Sequence, residues 1–230
     1  MSGTPRGADP VRVVILAYPG VDDLDLFGAY AVLSKAASIA VGRSAESDSA
    51  RAVSVEAAER GLEVRIAASA LEIITSGGVS FAAQAGLDAL GTADAVLVPG
   101  GRGVLPAAGN AELTASLRQA FTSGAHFYGV CSGTILLAAA GLTRRRRVAM
   151  HHGKRHQLAG SLVGELTSGL VRDGRITTVG GDRRASVKSA DLAFQLLADL
   201  LPRLLDPVSA RMEVVPGRDR RLVVTAAGGR

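Results

Sequence analysis

Residues 126–140 read HFYGVCSGTILLAAA, and this stretch decides the fold. The first five residues form an apolar run of strand length, and an apolar helix is predicted from Gly133 to Ala140. Cys131 therefore stands where a predicted strand turns into a predicted helix. This order is typical of a nucleophile elbow, whose strained turn exposes the side chain while the helix N-terminus favours a thiolate. The pattern predicts a reactive thiol of lowered pKa, although a buried structural cysteine would give the same local sequence.

Two further apolar runs resemble the strand before Cys131. Val11 to Tyr18 reads VRVVILAY, and Ala93 to Val98 reads ADAVLV before Pro99-Gly100-Gly101. Such runs are typical of parallel strands buried on both faces, so the chain is predicted to be an α/β protein with a doubly wound, mostly parallel sheet and helices on both faces. The other predicted elements are helices at 26–37, 110–123 and 186–204 (closed by Pro207), strands at 52–58, 62–67 and 71–75, a surface loop at 42–51, and a hairpin joining 170–172 to 175–179 through Asp173-Gly174.

The composition is that of a globular protein. The chain has 230 residues, 47% hydrophobic and 20% charged, enough for one well-cored domain. We predict a disordered tail at 1–10, a single domain at 11–205 and a C-terminal extension at 206–230. No apolar run reaches the roughly 18 residues that span a bilayer, and the first ten residues are polar, so we expect a cytoplasmic protein without a membrane partner.

Several classes of binding site are disfavoured by the residue counts. A single cysteine excludes an intrachain disulfide and a thiolate-rich zinc site. Aromatic residues make up only 3% and tryptophan is absent, which argues against a base-stacking platform. The net charge of +5 is scattered apart from the run Arg144 to Arg147, which is either a solvated loop or an anion-binding patch. Nucleic acid is therefore not an expected partner.

Other candidate residues follow the predicted strands, because ligands of an open parallel sheet bind at the carboxyl ends of its strands. Gly100 and Gly101 could present backbone N–H groups to an oxyanion or belong to an ordinary turn. Three acidic residues could either cap the first helix or face the sulfur: Asp22, Asp23 and Asp25. Two histidines, His151 and His152, could be bases, hydrogen-bond partners or ordinary surface residues.

The order of these motifs resembles the ThiJ/PfpI superfamily, whose members share a class I glutamine amidotransferase-like, flavodoxin-type fold. The resemblance covers about Val11 to Leu205. It rests on VVILAYPGVDDLDLFGAYAVL, SGGVSF, DAVLVPGGRG, YGVCSGTILLAAAGL, RRVAMHH, GLVRDGRITTVGG and SADLAFQLLADL.

The resemblance implies a role for each candidate residue. Cys131 corresponds to the reactive centre, Asp25 to the acidic residue beside the sulfur, and His151 to the histidine that follows the elbow. The backbone N–H groups of Gly101 and Ser132, with Gly100 and His152 beside them, would bind the oxyanion or substrate. The protease-like branch has histidine after the cysteine, where this chain has Ser132, and this difference counts against peptidase chemistry.

Within the superfamily, the motifs are most similar to those of isonitrile hydratase and of the amidase-like domain of AraC-type regulators. The first similarity implies a hydratase or hydrolase that uses Cys131, Asp25 and Ser132 on a small molecule, with no metal or organic cofactor. The second implies a ligand- or redox-sensing module, and a glyoxalase- or deglycase-like enzyme would use Cys131, Asp25 and His151. Relatives commonly form two-fold dimers, so a homodimer is expected.

Overall fold

The computed structural model describes residues 9–42, 60–158, 160–183, 187–216 and 222–225. The strand predicted at 52–58 lies outside the described residues. So do most of the surface loop predicted at 42–51 and most of the tail predicted at 1–10.

A seven-stranded sheet forms the centre of the described part of the chain, with the order β11-β9-β10-β6-β5-β1-β2. All neighbouring strands are parallel except β9 and β10, which form the antiparallel hairpin predicted around Asp173-Gly174. The mostly parallel sheet is thereby confirmed. Its strands are β1 (Val11–Leu16), β2 (Leu62–Ala67), β5 (Ala95–Val98), β6 (His126–Val130), β9 (Gly169–Asp173), β10 (Ile176–Gly180) and β11 (Leu222–Thr225), and two small sheets pair β3 (Glu72–Ile74) with β4 (Ser80–Ala82) and β7 (Arg147–Ala149) with β8 (Glu165–Thr167).

Helices cover both faces of the central sheet. On one face the first helix packs against the last two, and on the other the second, third and fourth helices pack together. Side chains of the central strands are buried between these layers, which is why their sequences are almost continuously apolar. The helices are α1 (Asp23–Ala40), α2 (Val104–Ala108), α3 (Ala111–Thr122), α4 (Gly133–Ala139), α5 (Lys188–Leu200) and α6 (Leu205–Met212).

Several predicted helix boundaries are wrong: α1 ends at Ala40 rather than at Ala37, and α5 begins at Lys188 rather than at 186. Helix α1 begins at Asp23 rather than at Leu26, because the Asp22 side chain caps it one turn earlier. Helix α5 ends at Leu200 rather than at 204, because Pro202 opens a short 3-10 turn. Pro207 does not close that helix but lies in the first turn of α6, where a missing N–H costs no helical hydrogen bond.

The arginine run is partly solvated and partly anchored. Arg144 and Arg145 are exposed. Arg146 donates to Asp173 at 3.0 Å and lies 5.7 Å from the centre of the Phe121 ring, and Arg147 pairs with Glu165 at 2.8 Å. These contacts tie the small β7–β8 sheet to the central hairpin, so half of the run serves packing.

Candidate active site

Three loops converge at one edge of the central sheet because β6, β5 and β1 are neighbours and parallel. The loop after β1 and the loop after β5 are joined by hydrogen bonds from Asp22 N–H to Gly100 C=O (2.8 Å) and from Gly103 N–H to Gly20 C=O (3.1 Å). A Cβ at Gly101 would lie 2.3 Å from the Gly20 oxygen, so only glycine permits this approach. The loops form a rigid cradle beside the end of β6.

Cys131 occupies the turn between β6 and α4 with a φ of +60°, which is rare for a side-chain-bearing residue. The predicted strand-to-helix turn and its strained backbone are thus present. Its N–H donates to Val179 C=O (3.0 Å), and its C=O accepts from His151 N–H (3.1 Å). The neighbouring strand β10 and the segment after β7 therefore hold the strained conformation in place.

The Asp25 carboxyl group lies beside the sulfur of Cys131. Asp25 is only 8% exposed, accepts the Gly100 N–H at Oδ2 (3.1 Å), and lies close enough to the Cys131 thiol for each group to shift the pKa of the other. Burial, followed by the charge of Asp22, raises the pKa of Asp25 to about 6. Burial, followed by the charge of Asp25, raises the pKa of Cys131 to about 12. The two groups therefore hold one proton between them, and one negative charge, across the neutral range.

The prediction of a lowered thiol pKa is wrong. The Ser132 N–H at the start of α4 does favour the thiolate, but desolvation and the adjacent carboxylate outweigh it. A helix as short as α4 supplies a weak dipole, whereas burial removes the water that would stabilise the thiolate.

The groups expected to bind an oxyanion are already in contact with one another. Ser132 is 1% exposed, and its hydroxyl accepts the Gly101 N–H (3.1 Å). The Gly100 N–H is engaged by Asp25 rather than facing a ligand. A Cβ at Gly100 would lie 2.8 Å from the Ser132 nitrogen and 3.0 Å from Asp25 Oδ2, so Gly100 allows these two residues to approach each other.

The three aspartates at the start of α1 have separate contacts. Asp22 caps the helix by accepting the N–H groups of Leu24 (3.0 Å) and Asp25 (3.1 Å). Asp23 points to the β3–β4 turn, where it accepts the Thr75 hydroxyl and, at 2.8 Å, the Gly77 N–H. The Thr75 hydrogen bond is the largest cause of the lowered pKa of Asp23. Of the three aspartates, Asp25 is therefore the one that faces the sulfur of Cys131.

The two histidines differ in their relation to the site. His151 and His152 stack with ring centres 4.7 Å apart, and His151 lines the cavity that contains Cys131, whereas His152 does not. Nδ1 of His151 accepts the Gly153 N–H (3.1 Å). Burial, together with positive neighbours, lowers the pKa of His151. The expectation that His152 contacts a ligand finds no support in this geometry.

The cavity above the sulfur measures about 340 Å³. Its lining includes residues that the sequence motifs do not single out, and Arg102 and Lys154 contribute positive charge. Tyr18 lies beneath the site: it donates to Pro99 C=O (2.8 Å), and the charges of Asp25 and Cys131 add to burial in raising its pKa. The lining residues are Asp22, Asp23, Ser76, Gly77, Gly101, Arg102, Cys131, Ser132, His151 and Lys154.

In the parts of the chain that the structure describes, three or more histidine, cysteine or acidic side chains nowhere gather as metal ligands would. The described helices also include none with the length and apolar character needed to cross a bilayer.

Comparison with known proteins places this site in a family. Solved structures with a similar fold include a ThiJ/PfpI family protein from Pseudomonas syringae (23% identity, TM-score 0.70, 94% of this chain and 80% of that chain) and DJ-1beta of Drosophila melanogaster (16%, 0.71, 90% and 99%). Oxidized DJ-1 of Toxoplasma gondii is also similar (17%, 0.68, 89% and 99%). Curated proteins give no significant match. Because the model of the DJ-1/PfpI family matches residues 11–186, well over half of the sequence, the chain belongs to the DJ-1/PfpI family.

Proposed function

We propose that the protein is a cysteine-dependent enzyme that hydrates an isonitrile to an N-substituted formamide. The observation that carries the proposal is the Asp25–Cys131 pair at the base of the cavity, which holds a single proton near neutral pH. The terminal carbon of an isonitrile must gain a nucleophile and a proton together. A thiol beside a carboxylate supplies both to the same atom.

The reaction proceeds in two stages. The thiol proton of Cys131 passes to Asp25 as the sulfur attacks the terminal carbon, and Asp25 delivers that proton to the same carbon. A C–S bond and a C–H bond form, giving a thioimidate. Water then adds to the thioimidate carbon and a proton reaches the nitrogen. The C–S bond breaks, and the cysteine thiol leaves with the formamide as product.

Ser132 orients the water or the adduct. Its hydroxyl accepts the Gly101 N–H (3.1 Å) and donates only a long hydrogen bond to the Gly101 C=O (3.5 Å), so the oxygen is held in place and its proton can turn to a ligand. The proposed chemistry draws only on side chains of this protein and on water. The cavity of about 340 Å³ suits a small molecule.

The proposal is tested by incubating the protein with a panel of alkyl and aryl isonitriles and measuring formamide by chromatography. We expect catalytic turnover in the native protein and none in Cys131→Ser. Glu112→Gln, an exposed change on α3, is the matched surface control and should keep full activity. If no isonitrile in the panel is hydrated, or if Cys131→Ser retains turnover, the proposal is wrong.

A second candidate is a ligand- or redox-sensing module without turnover. The observation that favours it is the raised pKa of Cys131, because a thiol that stays protonated is a weak nucleophile by itself. Intact-mass measurement after exposure to isonitriles, glyoxal and peroxide separates the candidates. A stoichiometric stable adduct or oxidised form without product supports the sensor, whereas product without accumulated adduct supports the enzyme.

We also propose that the protein is a two-fold homodimer. Exposed apolar side chains lie on the first turn of α1, on the β3–β4 turn that contacts it, and just before α5. The same turns carry cavity residues, so association through this face would place the pocket near the interface. The exposed apolar residues at these places are Leu24, Ile74 (at the end of β3), Val79 and Val187.

A further inference from the structure

One wall of the cavity comes from a single short segment after β7. His151 and Lys154 both line the cavity that contains Cys131, and the Lys154 N–H donates to the His151 C=O at 3.0 Å. The backbone of this segment is also tied to the cysteine through the His151 N–H. The backbone that carries the two side chains is thus held at a fixed place relative to the sulfur.

His151 presents a hydrogen-bond donor to the cavity. Its Nδ1 accepts the Gly153 N–H at 3.1 Å, so Nδ1 carries no proton. Desolvation, followed by the charges of His152, Lys188 and Lys154, lowers its pKa, and this favours the neutral ring. A neutral ring without a proton at Nδ1 carries it at Nε2. Nε2 is therefore the donor atom of the His151 side chain.

Arg102 and Asp22 in the cavity lining are held by hydrogen bonds or lie near an opposite charge, whereas Lys154 has no opposite charge paired with it in the described part of the chain. Arg102 donates to the Ser76 C=O (2.8 Å) and acts on the adjacent Asp23, and Asp22 is engaged by two N–H groups at the start of α1. Lys154 has no ion-pair partner among the described residues. The Lys154 ammonium group and the His151 N–H are both hydrogen-bond donors. A cavity wall made of these two groups therefore favours a negatively charged acceptor such as a carboxylate.

We propose that His151 and Lys154 form an anion-binding subsite beside Cys131, which selects small electrophilic molecules that carry a carboxylate. The carboxylate binds to the two donors, and the electrophilic carbon then lies next to the sulfur. The substrate class that follows, isonitriles with a carboxylate near the reacting carbon, rests on the proposed function. Binding of an anion at the subsite does not depend on whether the protein turns over isonitriles.

The test uses alkylation of the only cysteine in the chain. Iodoacetate and iodoacetamide have the same leaving group and nearly the same size, but only iodoacetate carries a carboxylate. Intact-mass kinetics give the ratio of their rate constants for the native protein and for Lys154→Gln, Lys154→Arg and Lys35→Gln. Lys35 lies on α1 away from the cavity, and its change alters the net charge equally.

We expect the iodoacetate-to-iodoacetamide ratio to fall about threefold in Lys154→Gln, the size of effect typical of a partly exposed charge pair. Lys154→Arg should keep most of the native ratio, and Lys35→Gln all of it. Added salt should lower the native ratio, which tests the subsite without any variant. An unchanged iodoacetamide rate shows that Lys154→Gln keeps its fold.

An unchanged ratio in Lys154→Gln, or an equal fall in Lys35→Gln, overturns the subsite. So does a fall in Arg102→Gln alone, measured in the same way, since the anion would then bind at Arg102 and not at Lys154. None of these outcomes depends on whether isonitriles are hydrated. Failure of the proposed function therefore leaves the alkylation ratio as a separate result.

Discussion

Asp25→Asn should make the protein more stable and less active. Asp25 is 8% exposed, and folding raises its pKa from an ordinary 3.8 to about 6, chiefly by burial. The carboxylate is therefore less favourable in the folded chain than in the unfolded chain. Asparagine removes the buried charge and keeps an oxygen to accept the Gly100 N–H. Helix α1 keeps its cap because Asp22 supplies it.

The magnitude follows from the shift of the pKa. A rise of about two units corresponds to about 3 kcal/mol at 1.36 kcal/mol per unit, and this is the upper limit of the gain at pH 7. Between pH 3.8 and about 6 the folded chain binds more protons at Asp25 than the unfolded chain does, so this contribution lowers stability as the pH rises through that window. The advantage of Asp25→Asn is therefore full above about pH 6 and vanishes below about pH 4.

The assay is urea unfolding of the native protein and the variant at pH 4 and pH 7, with turnover measured in parallel. We expect a gain of about 1 to 3 kcal/mol at pH 7, and turnover lowered about a hundredfold because the proton donor is lost. Asp23→Asn is the matched control: its carboxylate has a lowered pKa, so this variant should lose stability at pH 7. A less stable Asp25→Asn at pH 7, or one with full activity, would refute the reasoning.

Three further predictions concern the same site and its surroundings. Gly100→Ala should lower turnover at least tenfold, because the added methyl group lies 2.8 Å from the Ser132 nitrogen and 3.0 Å from Asp25 Oδ2, whereas Gly91→Ala, with no atom within 4 Å, should leave kinetics unchanged. Turnover should fall about tenfold for each pH unit below about 6, where the pair gains its second proton, and a pH-rate profile that stays flat down to pH 5 would contradict this. Sedimentation should show a dimer at micromolar concentration that Leu24→Lys weakens, and a native monomer would rule the dimer out.

The architecture was predictable from the sequence because burial leaves a simple pattern. The strands at 11–16, 95–98 and 126–130 are covered on both faces, so their sequences are apolar runs. Such runs can be recognised as strands without knowing which strands pair with them. The end of α5 was not predictable in this way. Leu201, Leu204 and Val208 are buried and continue the helical spacing past the point where Pro202 breaks the hydrogen bonding.

The site was only partly predictable for a different reason. The neighbourhood of Asp25 and Cys131 follows from the order of the strands, which the motifs indicate. The protonation of the pair depends on desolvation by the whole surrounding core, which no local motif records. The contact of Asp23 with Thr75 needs the β3–β4 turn to fold onto α1, and Lys154 enters the cavity through a short 3-10 turn.

The central claim is that Asp25 and Cys131 share one proton across the neutral range, and ultraviolet absorbance of the thiolate tests it most directly. The spectrum of Cys131→Ser, subtracted from that of the native protein at each pH, isolates the signal of the single thiol. We expect no thiolate signal up to about pH 10 in the native protein, and a signal at lower pH in Asp25→Asn, whose sulfur has lost its negative neighbour. A native thiolate signal with a midpoint at or below about pH 7 would contradict the claim.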